Sequence, residues 1–328
     1  MERRQNRKHS LGRLACILLL ITALLAGCGG KEPESVRVGS LKGPTSMGIL
    51  FLMEKAQQNQ TDYAYAFHMA VGADELLALM AKGELDIALL PANAAAVLYQ
   101  KTEGGVAVVD INTLSVLYLV TGDEGIKSVE DLRGRTICLT GKGTTPEAAL
   151  KYILERNGLG ENDYTLEYKS EATEVAAQLA EDSRGIGLLP QPFVTAALLQ
   201  NENLQVALDM KEEWEKAQGE SGSALVTGVT VVRRDFLEEN EDVVRDFLEE
   251  HGDSVRGILE DPGTGAALAV ESGIVAKESV ALEAIPKCNL VCITGKEMKE
   301  ALSAYLEVLY GFNAELTGGS VPEEDFYY

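Results

Sequence analysis

The sequence predicts an α/β protein of two lobes, each a mostly parallel sheet flanked by helices, and three observations carry that prediction. From Val36 onward, short β-branched and apolar runs alternate with longer runs of helical period. The alternation gives way to extended segments near residues 106–120 and then restarts at Thr136. Each half also contains a strand that runs straight into a Gly/Thr-rich helix start, Gly43-Pro44-Thr45-Ser46 in one and Gly141-Lys142-Gly143-Thr144-Thr145-Pro146 in the other. With 328 residues, the chain is long enough to build two packed lobes.

The chain opens with a basic region, Arg3, Arg4, Arg7, Lys8 and Arg13, followed by the apolar run Leu14 to Leu25 and the ending Leu25-Ala26-Gly27-Cys28. This is the pattern of a secretory signal, with an apolar run too short to span a membrane comfortably. The ending matches the lipobox of bacterial lipoproteins, so cleavage after residue 27 would leave Cys28 as a lipid-bearing N-terminus. Residues 28–35 then form a polar tether, and the predicted site is the extracytoplasmic face of the cell membrane. The full chain carries a net charge of −22, and loss of the basic leader makes it more acidic. A body this acidic lacks the basic stripe that nucleic acid requires and repels anionic headgroups, so the lipid alone would hold it to the membrane.

Val36, Val38 and Leu41 supply the first strand, Gly43 and Pro44 end it, and Thr45 or Ser46 caps a helix through Met47, Leu50, Phe51 and Glu54. The spacing predicts a second strand over 63–71, a helix after Gly72-Ala73-Asp74, a buried strand from Asp86 to Leu90, and a further helix opened by Pro91-Ala92-Asn93. Helix starts gathered at the carboxyl edge of a parallel sheet present free N–H groups to a small polar or anionic ligand.

Gly83-Glu84-Leu85-Asp86-Ile87-Ala88 followed by Leu90-Pro91 resembles the G-x-x-D-I-A segment of bacterial solute-binding proteins of the nitrate, sulfonate, taurine and thiamine-precursor group. The resemblance continues through Pro190-Gln191-Pro192-Phe193-Val194-Thr195, Ala284-Ile285-Pro286-Lys287-Cys288-Asn289 and the ending Gly318-Gly319-Ser320-Val321-Pro322, and so covers the chain beyond the leader. It implies the type II periplasmic-binding fold: two α/β lobes, two crossing segments and a ligand cleft between them. It also implies the receptor subunit of an ABC importer with permease and ATPase partners; a monomer without cofactor is expected, and no multi-histidine metal site, because His9 leaves with the leader and His68 and His251 lie far apart in sequence. Enzymes and surface sensors on the same fold are the alternatives.

On this reading lobe 1 comprises residues 36–120 with 229–328, and lobe 2 residues 121–228. Leu119-Val120-Thr121-Gly122 recurs as Leu225-Val226-Thr227-Gly228, and the two segments are read as neighbouring hinge strands. In the second lobe, Ser128 caps a short helix, Thr136 to Leu139 is a strand, and Thr144 with Glu147 has capping-box spacing before a helix to Arg156. The loop Gly141–Thr145 is not a phosphate loop of the Walker type, because Lys142 precedes the turn. Strand 166–169, helix 172–180 and strand 185–189 follow, then the long amphipathic helix 242–259 and a last helix 298–309.

The candidate ligand-binding residues are Thr45, Ser46 and Met47 at the first helix start, Asn93 at the third, Thr144 and Thr145 across the cleft, and Gln191 and Thr227 nearby. Phe193 either stacks on a ligand ring or packs in the core, and Lys42 and Lys142 either contact an anion or are solvated. Trp214, within Lys211-Glu212-Glu213-Trp214-Glu215, reads as part of a solvated charged helix. His68 and His251 read as structural, His251 at a helix end before Gly252. Cys138, Cys288 and Cys292 read as buried thiols, although pairing of Cys288 with Cys292 is open.

Overall fold

The computed structural model describes residues 35–219 and 223–328. The predicted leader, Cys28 and all but the last residue of the tether lie outside the described residues.

The first sheet is built from β1 (Val36–Leu41), β2 (Tyr65–Ala70), β3 (Ile87–Pro91) and β4 (Val106–Leu114). β1 pairs in parallel with both β2 and β3. The second sheet holds β5 (Leu117–Thr121), β6 (Thr136–Thr140), β7 (Thr165–Lys169), β8 (Ile186–Pro190) and β9 (Gln205–Asp209), in the order β7-β6-β8-β5-β9. The chain then returns through β10 (Val226–Arg233) and β11 (Leu290–Ile293), so that the first sheet runs β11-β4-β10-β3-β1-β2. In both sheets a parallel triplet is extended by antiparallel strands, β10 beside β3 and β5 beside β8.

The helices follow the strands. α1 (Leu50–Gln57) is preceded by a 3₁₀ segment, Pro44–Ile49; α2 (Ala73–Ala81) and α3 (Ala92–Lys101) complete the first βα run. The second sheet carries α4 (Thr145–Arg156), α5 (Ala172–Glu181), α6 (Phe193–Gln200) and α7 (Met210–Gln218). After the return come α8 (Arg234–Glu239), α9 (Glu241–Glu260), α10 (Pro262–Glu271), α11 (Glu278–Ala284) and α12 (Gly295–Phe312). The edge strand β9 and the helices α10 and α11 go beyond the sequence reading. In β9 the pattern is weak because Gln205 and Val206 are exposed.

The chain passes between sheets at Ser115–Val116, ahead of the boundary placed at 120/121, and is back in the first sheet by Val226 rather than 229. The two Leu-Val-Thr-Gly segments are not neighbours. β5 spends both edges on β8 and β9, and β10 spends both on β3 and β4, so neither has an edge left for the other. The crossing is instead tied to the C-terminal segment. Tyr118 Oη donates to Lys287 O at 2.7 Å, Asn289 Nδ2 donates to Ser115 O at 2.6 Å, and the Leu114 N–H donates to Asn289 O at 3.0 Å.

Gly83 to Asp86, the segment that carried the resemblance, is a staple between strands. The buried Asp86 carboxylate accepts from the Arg37 N–H and Nε, each at 2.9 Å, and Arg37 Nη1 donates to Gly83 O at 2.7 Å. The hydrogen bond to Asp86 raises the Arg37 pKa further. Gly83 has φ of +71°, where a side chain would be strained.

Two further side chains differ from expectation. Trp214 is fully buried, because α7 turns Met210 and Trp214 inward while Glu212 and Glu215 stay outside. Its ring lies 4.7 Å from Tyr152 of α4 and 5.5 Å, edge-on, from Tyr305 of α12. That aromatic stack joins the last helix to the second lobe. His251 lies inside α9, which runs on to Glu260, and is fully buried against Asp110, so it is not a helix-end residue. His68 sits exposed on the edge strand β2, 2.8 Å from Glu75. Among the described residues Cys138, Cys288 and Cys292 are free thiols, with Cys288 Sγ 3.6 Å from Met47 Sδ.

Candidate functional site

The parallel strands of both sheets end at one place. β3 stops at Pro91, β6 at Thr140 and β8 at Pro190, and the N-termini of α3 and α4 begin there. Between these ends lies a cavity of about 240 Å³. In this conformation it suits a small solute.

Its walls come from both lobes. Pro91, Ala92 and Asn93 enter from the end of β3, and Val226 and Thr227 from the start of β10. Opposite them stand Thr140 of β6 and Thr145, Pro146 and Ala149 of α4. Val116 and Leu117 form the crossing, and Tyr305 of α12 contributes an aromatic ring. No Asp, Glu, Lys or Arg is among these lining residues. The polar contacts on offer are hydroxyls, one amide and the N–H groups of two helix starts, against a background of aliphatic side chains.

Of the eight residues singled out from sequence, three line the cavity: Asn93, Thr145 and Thr227. Thr144 stands beside it, exposed, with its hydroxyl turned back to Gly141 O at 2.5 Å. It does not bond the helix N-terminus. The capping role passes to Glu147, whose carboxylate accepts from the Gly143 N–H at 2.6 Å and pairs with Lys151 at 3.0 Å. Burial pushes the Glu147 carboxyl up, but the Gly143 N–H and Lys151 outweigh it and hold it below the usual range. The loop needs Gly141 and Gly143, at φ of +79° and +73°.

The remaining four are set back from the cavity. Ser46 is fully buried, its N–H on Gly43 O at 3.1 Å and its hydroxyl donating to Leu41 O. Met47 is buried against Cys288. Thr45 packs on Gly228: a Cβ built there would come within 2.6 Å of Thr45 Cγ2 and would overlap Asn112 Oδ1. Gln191 is buried, with Oε1 accepting from the Thr195 hydroxyl at 2.8 Å and the Thr195 N–H at 3.3 Å. Its own N–H donates to Val116 O at 2.9 Å, which fastens β8 to the crossing. Neither lysine reaches the cavity; Lys142 Nζ lies over the Tyr168 ring, 5.3 Å from its centre. Phe193 is likewise outside the lining and packs with Val194 and Ala197 beside α5.

The sequence reading missed Tyr305, Thr140 and the crossing residues Val116 and Leu117. Thr140 was findable as the residue closing a parallel strand at its carboxyl edge. Tyr305 lies in an apolar helical stripe with Ala301, Leu302, Leu306 and Leu309, and nothing local separates it from core.

Residues 55–248, more than half of the chain, match the family described as ABC transporter, phosphonate, periplasmic substrate-binding protein. The chain belongs to that family. Its members are extracytoplasmic substrate-binding proteins of ABC transporters, and among the described residues no helix is long and apolar enough to cross a membrane. A comparison with curated proteins finds no match.

Solved structures share the fold. An ABC transporter protein from Parabacteroides distasonis superposes with a TM-score of 0.75 at 22% identity, covering 90% of this chain and 99% of that one. The periplasmic aliphatic sulphonate-binding protein SsuA from Escherichia coli gives 0.70 at 16%, covering 90% and 91%. The alkanesulfonate-binding protein SsuA from Xanthomonas axonopodis pv. citri, bound to MOPS, gives 0.62 at 16%, covering 89% and 96%. These likenesses agree with the two-lobed type II periplasmic-binding architecture expected from the sequence.

Proposed function

We propose that this chain is the lipid-anchored solute receptor of an ABC importer, held at the membrane through Cys28 and delivering its solute to the permease and ATPase of that system. The observation that carries the reading is the cavity walled by both sheets, with Asn93 and Thr227 on one side and Thr140 and Thr145 on the other. A solute bridging those walls favours the closed arrangement of the lobes over an open one, so capture is hinge closure and involves no chemistry.

The solute we favour is a small alkylsulfonate. Helix N-termini and hydroxyls stabilise a single delocalised negative charge, and Val116, Leu117, Leu188 and Val226 offer an apolar wall for a short tail. The lack of a cationic side chain in the lining weighs against a dianionic phosphonate, whose second charge would be buried without a partner. The same lack supports a second reading, a neutral carbonyl-bearing heterocycle. The sulfonate-binding neighbours lend support to the first.

Thermal shift of the full chain against short alkylsulfonates, alkylphosphonates and neutral pyrimidines tests the proposal. A solute at a hundred times its dissociation constant stabilises the fold by about 2.7 kcal/mol and raises the midpoint. Sulfonates should give that shift and phosphonates little. A shift with pyrimidines alone would move the assignment to the second reading, and turnover of any of them would refute the receptor role.

A further inference from the structure

Three side chains from three elements meet within the first lobe, away from the cleft: Asp110 of β4, His251 of α9 and Cys292 of β11. Their ligating atoms all lie within 4.8 Å of one another. His251 Nδ1 is 2.8 Å and Cys292 Sγ 3.7 Å from the same oxygen, Asp110 Oδ2. None of the three lines the cavity between the sheets.

The pair Asp110–His251 is fully buried and incompletely satisfied, since Asp110 Oδ1 and His251 Nε2 both lack a partner. A buried carboxylate with one bare oxygen is costly, and a cation bound to it would offset that cost directly. Asp110 is brought to this position by a register shift in β4, where Asp110 pairs with Thr230 but Val108 with Val231, leaving Val109 as the extra residue.

We propose that Asp110, His251 and Cys292 form a binding site for one divalent cation of the zinc class. The donors are one carboxylate oxygen, one imidazole nitrogen and one thiolate, a set that suits a borderline-soft ion and not calcium or magnesium. Tetrahedral zinc with ordinary bond lengths places oxygen and sulfur about 3.6 Å apart and oxygen and nitrogen about 3.3 Å apart. The Asp110–Cys292 spacing already meets this, and the Asp110–His251 contact has to open by roughly 0.5 Å to meet it. Cys292 is half-buried and opens on a surface groove with Arg245, Glu249 and Asp253, which gives the ion an entry path and a fourth position for water. Arg256, also in that groove, is ion-paired with Asp253. The metal would tie β11 to β4 and α9, stiffening the segment whose Asn289 holds the crossing at Ser115.

The test is titration of the full chain with Co(II) as a spectroscopic probe. One equivalent should produce a thiolate-to-cobalt charge-transfer band with the visible bands of a tetrahedral site, and Zn(II) should abolish both. The bands should vanish in Cys292→Ser and Cys292→Ala, and persist in Cys288→Ser and Cys138→Ser. Because Cys292 is the least buried of the three ligands, these variants leave the core intact, which circular dichroism checks. Zn(II) should also raise the thermal midpoint of the wild type and leave that of Cys292→Ser unmoved. Absence of a thiolate band in the wild type, or its survival in Cys292→Ser, would overturn the site.

Discussion

The turns Gly43–Ser46 and Gly141–Thr145 look alike in sequence, yet they do different work. In the second lobe the turn exits β6 through two glycines at positive φ and delivers Thr145 and Pro146 to the cavity wall. In the first lobe the turn tightens at once into a 3₁₀ segment, which buries Ser46 and Met47 and leaves Thr45 packed on Gly228. The first lobe faces the cavity through the next two pieces of its edge, the start of α3 at Asn93 and the start of β10 at Thr227. Equivalent loop chemistry therefore does not guarantee an equivalent role; what decides is whether the first turn of the helix is covered by another strand.

The largest effect is expected at Gly228, where the first-lobe turn meets β10. Gly228→Val drives a side chain into Asn112 and Thr45, an overpacking that costs about 1–3 kcal/mol or more, seen as a lower thermal midpoint. Ser46→Ala comes next: it strands the Leu41 carbonyl inside the lobe and should cost about 1–2 kcal/mol of stability in a denaturant melt. An unchanged melt would break the assignment of this turn to structure.

On the other side the comparison is sharpened by pH. The Glu147 carboxyl is held below its ordinary value of 4.5, so its contribution to stability is complete above that pH and is lost as pH falls through the lowered folded value. Wild type should therefore exceed Glu147→Gln in thermal midpoint near neutrality, with the gap closing below pH 4.5. The smallest effect is expected from Thr144→Ala, which removes an exposed bond to Gly141 O and should cost under about 0.5 kcal/mol, measured by the same melts.

Much of this was legible in the sequence because strand and helix periods are local. The βα alternation, the restart at Thr136 and the helix starts at Asn93 and Thr145 all follow from apolar spacing and turn residues. The misreadings share a different cause, since each depends on contacts between distant segments. Trp214 looks solvated among glutamates until α12 brings Tyr305 against it. His251 looks like a helix end beside Gly252 until Asp110, on a strand far back in the chain, supplies a buried partner. The repeated Leu-Val-Thr-Gly looks like a pair of adjacent strands until sheet order assigns each to a different sheet.

The central claim is that the solute meets the second-lobe turn and not the buried first-lobe turn. The direct test is calorimetric titration of the solute that wins the thermal-shift comparison against wild type, Thr145→Val and Ser46→Ala. Loss of a hydrogen bond from the cavity wall predicts about tenfold weaker binding for Thr145→Val, near 1.4 kcal/mol. For the folded fraction of Ser46→Ala it predicts wild-type affinity. Full affinity in Thr145→Val with a deficit in Ser46→Ala would contradict the account and move the site to the first-lobe turn.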